Sequence, residues 1–193
     1  RLKYAAARGM GVSIMEPLRN GFLVQPPQEV RAVFDAAKVK RSPVEWAFDY
    51  LWNMPEVSVV VTGMNAMNQV KDNLAYAGRS SVGMLNLEDT AGLGAAARRY
   101  RACEGVIPCT GCYSCIPCPK NVAIGYILNM VWNQYKADGN KQRALALYNY
   151  SMTPVQRGDK AGFCDGCSEC VPKCPNGVNI PAELKKVHAE LGS

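Results

Sequence analysis

Eight of the chain's nine cysteines fall into two short runs. The first is Cys109-x2-Cys112-x2-Cys115-x2-Cys118-Pro119. The second is Cys164-x2-Cys167-x2-Cys170-x3-Cys174-Pro175. No other feature limits the fold so tightly. Thiolates two residues apart on an irregular loop can all turn inward onto one inorganic core.

The second run has the spacing of the bacterial ferredoxin motif, whose fourth cysteine ligates the other cluster. The pairing follows from that motif. Cys109, Cys112, Cys115 and Cys174 would hold one [4Fe–4S] cluster. Cys164, Cys167, Cys170 and Cys118 would hold the other. The first run departs from the motif, with two residues rather than three before its fourth cysteine, so the pattern is weakest at Cys118. Structural zinc is an alternative, because it also takes four cysteines, often as two Cys-x2-Cys pairs. It needs no third cysteine at the same spacing. A disulfide framework needs an oxidising compartment, and cysteines this close in sequence make poor disulfide geometry with their near neighbours.

An internal repeat supports the crossed pairing. Cys118-Pro119-Lys120-Asn121-Val122-Ala123-Ile124 and Cys174-Pro175-Asn176-Gly177-Val178-Asn179-Ile180 share C-P-x-x-V-x-I. In each half the proline limits the backbone and the fourth cysteine leads into a helix. The Val and Ile suit a short extended piece packed beside a cluster. The halves are then pseudo-twofold, each donating one ligand to the other.

The 193 residues suit one or two domains, and 48% apolar content is enough for a core. The sequence holds no run of eighteen apolar residues and no visible signal peptide. Cysteines at cluster spacing point to a reducing, cytoplasmic setting. The net charge of +6 is spread along the chain. Its densest spot, Arg98-Arg99-Tyr100-Arg101, reads as a solvated helix end rather than a contact for an acidic redox partner or a phosphate. No nucleic-acid motif is present.

Taken in order, residues 1–8 predict the last turns of a helix closed by Gly9. No N-cap residue precedes them, which suggests that residues are missing upstream. Val12–Glu16 predicts a strand. A helix is expected from about Pro27 to Val39, with Val30, Val33, Phe34 and Ala37 on one face. Ser42-Pro43-Val44-Glu45 has the pattern of a capping box with proline at the first helical position. It opens a helix whose expected buried stripe is Val44, Ala47, Phe48 and Leu51. Val57–Thr62 predicts a strand covered on both faces, and a helix should follow from about Ala66 to Ala77. Strand–helix–strand–helix is a parallel α/β pattern. Two strands make no stable sheet alone, so the rest of a sheet is expected elsewhere.

Residues 80–102 read as a helical linker, with a helix from about Leu87 to Arg101. Beyond the first cysteine run, Ile124, Ile127, Leu128, Val131, Trp132 and Tyr135 lie at helical spacing as core. Helices are expected over Lys141–Tyr150 and from about Pro181 to Leu191, with a loop over residues 151–163 between them. The last helix presents Leu184, Val187 and Leu191. His188, the only histidine, reads as a packed or half-exposed structural residue. Cys103 reads as a small buried hydrophobe or a neighbour of the first cluster.

Together, several segments resemble the C-terminal part of aldo/keto reductases that carry a ferredoxin-like iron–sulfur domain. They are residues 11–18 (Gly11-Val12-Ser13-Ile14-Met15-Glu16-Pro17-Leu18), residues 55–65 (Pro55 to Asn65), Gln69-Val70, Asp72-Asn73 and the two cysteine runs. The resemblance implies an α/β part followed by a mostly α part. Residues 1–79 would be the last two β/α units of a (β/α)8 TIM-type barrel, 80–102 a linker, and 103–193 a helical dicluster ferredoxin-like domain. Such barrels often bind phosphate with the loops after strands seven and eight. By the resemblance, Glu16, Pro17 and Leu18 would line the nicotinamide and pyrophosphate end of NAD or NADP. Gly63, Met64 and Asn65 would offer backbone N–H groups to phosphate, and Gln69 and Asn73 would approach the adenosine end. Gln69 stands where many members place a basic residue, which leaves NAD and NADP both open.

The family's catalytic Asp, Tyr, Lys and His have no match in this chain, which alone should not reduce a carbonyl. Three readings follow. One is the C-terminal part of an iron–sulfur oxidoreductase, NAD(P)-linked, with the missing barrel portion on the same or another chain and a ferredoxin or flavoprotein as redox partner. The others are a stand-alone ferredoxin-like electron-transfer module and a small domain stapled by clusters with a structural role.

Overall fold

The computed structural model describes residues 2–150, with only the backbone of Tyr150, and residues 158–192. It is mostly helical with one small parallel sheet. The chain divides into two units, Arg1–Arg99 and Tyr100–Ser193.

In the first unit, α1 (Leu2–Ala6) leads to β1 (Ser13–Met15), α2 (Gln28–Asp35), α3 (Pro43–Trp52), β2 (Val59–Val61) and α4 (Met67–Gly78). α5 (Leu87–Ala102) starts in this unit and ends in the second. β1 and β2 pair in parallel, with Ser13 opposite Val59 and Met15 opposite Val61. Ser58 extends the pairing, its hydroxyl accepting from the Val12 N–H at 3.0 Å.

Several elements are shorter than their sequence patterns predict. α1 stops at Ala6, because residues 7–9 already turn and Gly9 has φ +69°. β1 loses Glu16, whose φ of +55° lies outside strand geometry. α2 ends at Asp35 rather than near Val39. Its apolar face is anchored by Val30, fully buried, while Ala37 lies beyond the helix end. β2 is not covered on both faces. Val59 is 53% and Val61 45% exposed, and Met15 across from Val61 is 72% exposed.

α3 begins as its sequence dictates. The Ser42 hydroxyl accepts from the Glu45 N–H at 3.1 Å, and the Glu45 carboxylate accepts from the Ser42 N–H at 2.6 Å. Its buried residues are Trp46, Phe48 and Asp49, not the stripe of Val44, Ala47 and Leu51. The reason is a charge network. Arg41 lies over the Trp46 ring, 4.4 Å from its centroid, and its Nε bonds Asp49 at 3.0 Å. The same guanidinium reaches Asp89 at 3.0 Å, in the first turn of α5. Arg79, just past α4, bonds Asp49 and Glu45, both at 3.1 Å. Asp89 is also the N3 residue of a second cap, its N–H donating to Asn86 Oδ1 at 2.8 Å. The start and body of α3, the end of α4 and the start of α5 are thus tied through one buried carboxylate, Asp49.

The second unit is built around a long helical stretch after the first cysteine run. Its π-helical segment Tyr126–Trp132 passes into α6 (Asn133–Asp138). α7 (Lys141–Tyr150), a short 3₁₀ turn (Ala161–Phe163) and α8 (Ile180–Leu191) follow. Ile124, Ile127, Leu128, Val131 and Trp132 are buried as their spacing predicts, but the expected uniform α-helix is widened by the π turn. α8 buries Ile180, Leu184, Val187 and Leu191 against them. Lys136 joins the two, bonding Glu190 at 2.7 Å while lying 4.3 Å from the Trp132 ring centroid. His188 is exposed, with its ring lying against Gly162 and Gly192. Of the loop expected over 151–163, residues 151–157 lie outside the described residues. Beyond them Asp159 pairs with Val122 in an isolated parallel bridge.

The charge network sets a graded expectation. Arg41→Ala removes the guanidinium from Asp89 and leaves buried Asp49 with Arg79 alone, and should cost about 3–5 kcal/mol. Arg79→Ala removes a guanidinium that is 40% exposed and should cost about 1 kcal/mol or less. Urea unfolding of both variants measures the difference, and equal losses would show that burial of Arg41 does not matter.

Candidate metal centre

The two cysteine runs fold into loops of the same shape. Gly111 and Gly166, each just before the second cysteine, have φ of +67° and +80°. Just after that cysteine, Tyr113 and Ser168 have φ of +60° and +63°. A side-chain-bearing residue in this region costs about 1–2 kcal/mol, so both loops carry the same local strain. In each, the N–H three residues on closes a turn, Ile116 to the Tyr113 carbonyl and Val171 to the Ser168 carbonyl. The resemblance continues through the C-P-x-x-V-x-I repeat. The Asn121 and Gly177 N–H groups donate to Cys118 and Cys174, and the Ile124 and Ile180 N–H groups to Val122 and Val178. The repeated Cys-x-Gly-Cys is the sequence signal of this shared loop.

Two hollows result, each of about 340 Å³ including the space open to solvent. One is lined by Cys109, Cys112, Cys115 and Cys174, with Ile124, Leu128 and Ile180 as its apolar wall. The other is lined by Cys118, Cys164, Cys167 and Cys170, again with Cys115, and by Ile124 and Leu184. Each hollow therefore draws cysteines from both runs. Cys115 and Ile124 touch both hollows. Cys115 and Cys170 are buried, and close enough that the Cys170 charge would act on Cys115. None of the nine cysteines is in a disulfide, and Cys103 lines neither hollow. Among the described residues no three His, Cys, Asp or Glu side chains close on a single point as a lone metal ion needs. The sulfurs ring a space instead.

The donor set can be tested against an iron–sulfur group by its electrostatics. Burial pushes the Cys115 thiol up to about 11, and the neighbouring Cys109, Cys170 and Cys112 sulfurs push it the same way. Burial likewise raises Cys109 and Cys170. Thiolates crowded in an apolar hollow repel one another and lack water. They ionise there only with compensating positive charge, and a bound metal deprotonates its thiol ligands outright. A cationic multi-iron core fits these residues.

Sequence reasoning missed the residues that hold the first loop. Asn129 Nδ2 donates to the Cys109 carbonyl at 2.7 Å. Asn133 Nδ2 donates to the Ile107 carbonyl at 2.9 Å, and its Oδ1 accepts the Ile107 N–H at 3.0 Å. Both asparagines follow from the helical stretch after the loop. π-turns often sit at functional sites, and this one lies where that stretch clamps a cysteine loop. Helical asparagines outside a cap give no signal in sequence. The second loop is held differently, with the Ala161 N–H donating to the buried Tyr148 hydroxyl at 2.9 Å.

The residues expected at a nucleotide site all lie in the first unit. Parallel pairing of β1 and β2 brings the segments that follow them, Glu16-Pro17-Leu18 and Gly63-Met64-Asn65, to the same end of the sheet. Pro17 is buried and Leu18 and Asn73 half-buried, whereas Glu16, Gly63, Met64, Asn65 and Gln69 are exposed. Two of them have local partners. Glu16 accepts the Asn20 N–H at 2.9 Å, and Gln69 Oε1 accepts the Asn65 N–H at 3.0 Å.

Comparison with known families bears on the second unit. Residues 108–180 match the family model described as a 4Fe-4S dicluster domain. That segment contains both cysteine runs and every cysteine that lines the two hollows. No curated protein and no solved structure matches the chain. Among the described residues no helix is long and apolar enough to cross a membrane.

The loop geometry separates two glycines. A Cβ on Gly166 meets nothing within 4 Å, whereas one on Gly111 meets the Asn129 side chain at 3.1 Å. Gly166→Ala should cost only its backbone strain, about 1–2 kcal/mol. Gly111→Ala should cost more, because the Asn129 clamp must also shift. Anaerobic thermal unfolding compares them, and a larger loss at Gly166 would contradict the geometry.

Proposed function

We propose that the second unit passes single electrons through two cross-ligated [4Fe–4S] clusters, as part of an NAD(P)-linked oxidoreductase of aldo/keto reductase type. The observation that carries this reading is the interleaving of the cysteines: each hollow takes thiols from both runs. Cys109, Cys112, Cys115 and Cys174 would hold one cluster, and Cys164, Cys167, Cys170 and Cys118 the other. Such clusters, when bound, supply one-electron chemistry whose potential depends on hydrogen bonds to sulfur and on exposure. The chain's own residues do the rest. Ile124, Leu128, Ile180 and Leu184 exclude water, and the loop turns aim the thiols. Cys115, buried and lining both hollows, stands between them.

The first unit supports the second half of the proposal less directly. Its parallel strand–helix–strand–helix order is that of two β/α units, and Met15, Val59 and Val61 expose apolar surface a larger sheet would cover. The rest of a (β/α)8 barrel, on this polypeptide or another, would supply that cover together with the catalytic residues. NAD or NADP would then lie along Glu16, Pro17, Leu18, Gly63, Met64, Asn65, Gln69 and Asn73. A ferredoxin or flavoprotein in the cytoplasm would exchange electrons with the clusters.

Anaerobically purified protein should contain about eight irons and as many inorganic sulfides per chain. Zinc without sulfide would overturn the reading. The crossed ligation is tested by pairs of substitutions. Cys118→Ala with Cys167→Ala should leave about half the iron, whereas Cys118→Ala with Cys112→Ala should remove nearly all of it. The reverse pattern would assign each cluster to a single run.

A further inference from the structure

The two cysteine loops share a backbone but not the side chains beside their second cysteine. Around Cys112 stand hydroxyls. Ser114 Oγ lies 3.4 Å from Cys112 Sγ, and the Thr110 hydroxyl also reaches that sulfur. Around Cys167 the corresponding positions are carboxylates. Asp165 matches Thr110, and Glu169 matches Ser114. Asp165 Oδ1 accepts the Cys167 N–H at 3.1 Å, which holds its charge against the second loop.

Reduction adds negative charge to a cluster. A hydroxyl donating to a ligand sulfur favours that charge, and a nearby carboxylate opposes it. Two terms run the other way. Cys167 is the more exposed of the two cysteines, and Lys120 pairs with Asp165 at 3.4 Å. All of these groups lie at the surface, the Ser114 contact included, but the hydroxyl alone sits on a ligand atom.

We propose that the two clusters are unequal by design, the one on Cys109, Cys112, Cys115 and Cys174 having the higher reduction potential, with Ser114 as the residue that sets the difference. Electrons entering at the Cys167 side then come to rest at the Cys112 side. This rests on the dicluster reading of the second unit, and Ser114 acts through Cys112 as a positioning residue.

The test is a redox titration of the full, anaerobically purified chain followed by electron paramagnetic resonance, with iron and sulfide counted on every sample. The cluster on the Cys112 side is recognised by the signal that Cys112→Ser alters. Two resolved midpoints are expected, the higher belonging to that signal. Ser114→Ala should lower the higher midpoint and leave the lower one in place. Ser114→Thr, which keeps the hydroxyl, should restore it. Asp165→Asn, which keeps the acceptor for Cys167, should raise only the lower midpoint. Full iron content with midpoints that Ser114→Ala does not move, or with the lower midpoint on the Cys112 side, would overturn the inference and leave the dicluster reading intact. Absence of iron and sulfide from the unmodified chain would overturn both.

Discussion

Everything in the second unit follows from the cost of gathering thiolates out of water. Cys115 and Cys170 are buried among Ile124, Leu184 and the rest of the core, where negative sulfur is disfavoured by burial and by its neighbours. A positively charged inorganic core removes that penalty, and its binding energy then becomes folding energy, as in other small metal-held domains. Because each hollow takes thiols from both runs, filling one hollow fixes both loops. The two loops thus constrain each other, and they share a backbone shape despite different side chains.

The first unit is organised by a different charge problem. Asp49 is buried on α3 and is met by Arg41 and Arg79, so three helices are aligned around a carboxylate rather than an apolar stripe. This explains why periodicity along α3 misled. Val44, Ala47 and Leu51 have the right spacing, but Trp46 and Asp49 turn inward because Arg41 both stacks on the indole and neutralises the carboxylate. Arg41 is near in sequence, but the partners that complete the network, Arg79 for Asp49 and Asp89 for Arg41, lie 30 and 48 positions away and leave no local trace.

What was legible in sequence was what depends on local chemistry. The Ser42–Glu45 cap and the core face of α8 both follow from residues within a few positions. What was not legible depends on the third dimension. The clamp of Asn129 and Asn133 on the Cys109 loop, the π turn that carries it and the exposure of Val59 and Val61 each require knowing what lies across the fold. The left-handed Tyr113 and Ser168 fall between these cases, since only the twin Cys-x-Gly-Cys hints that the loops match.

The role of sulfur as the sole partner of iron is open to direct measurement by X-ray absorption at the iron edge on anaerobic protein. The account predicts an iron first shell made of sulfur alone, followed by scattering from neighbouring irons at short range. Isolated metal atoms with no metal neighbour, or absorption at the zinc edge from a four-sulfur site, would contradict it.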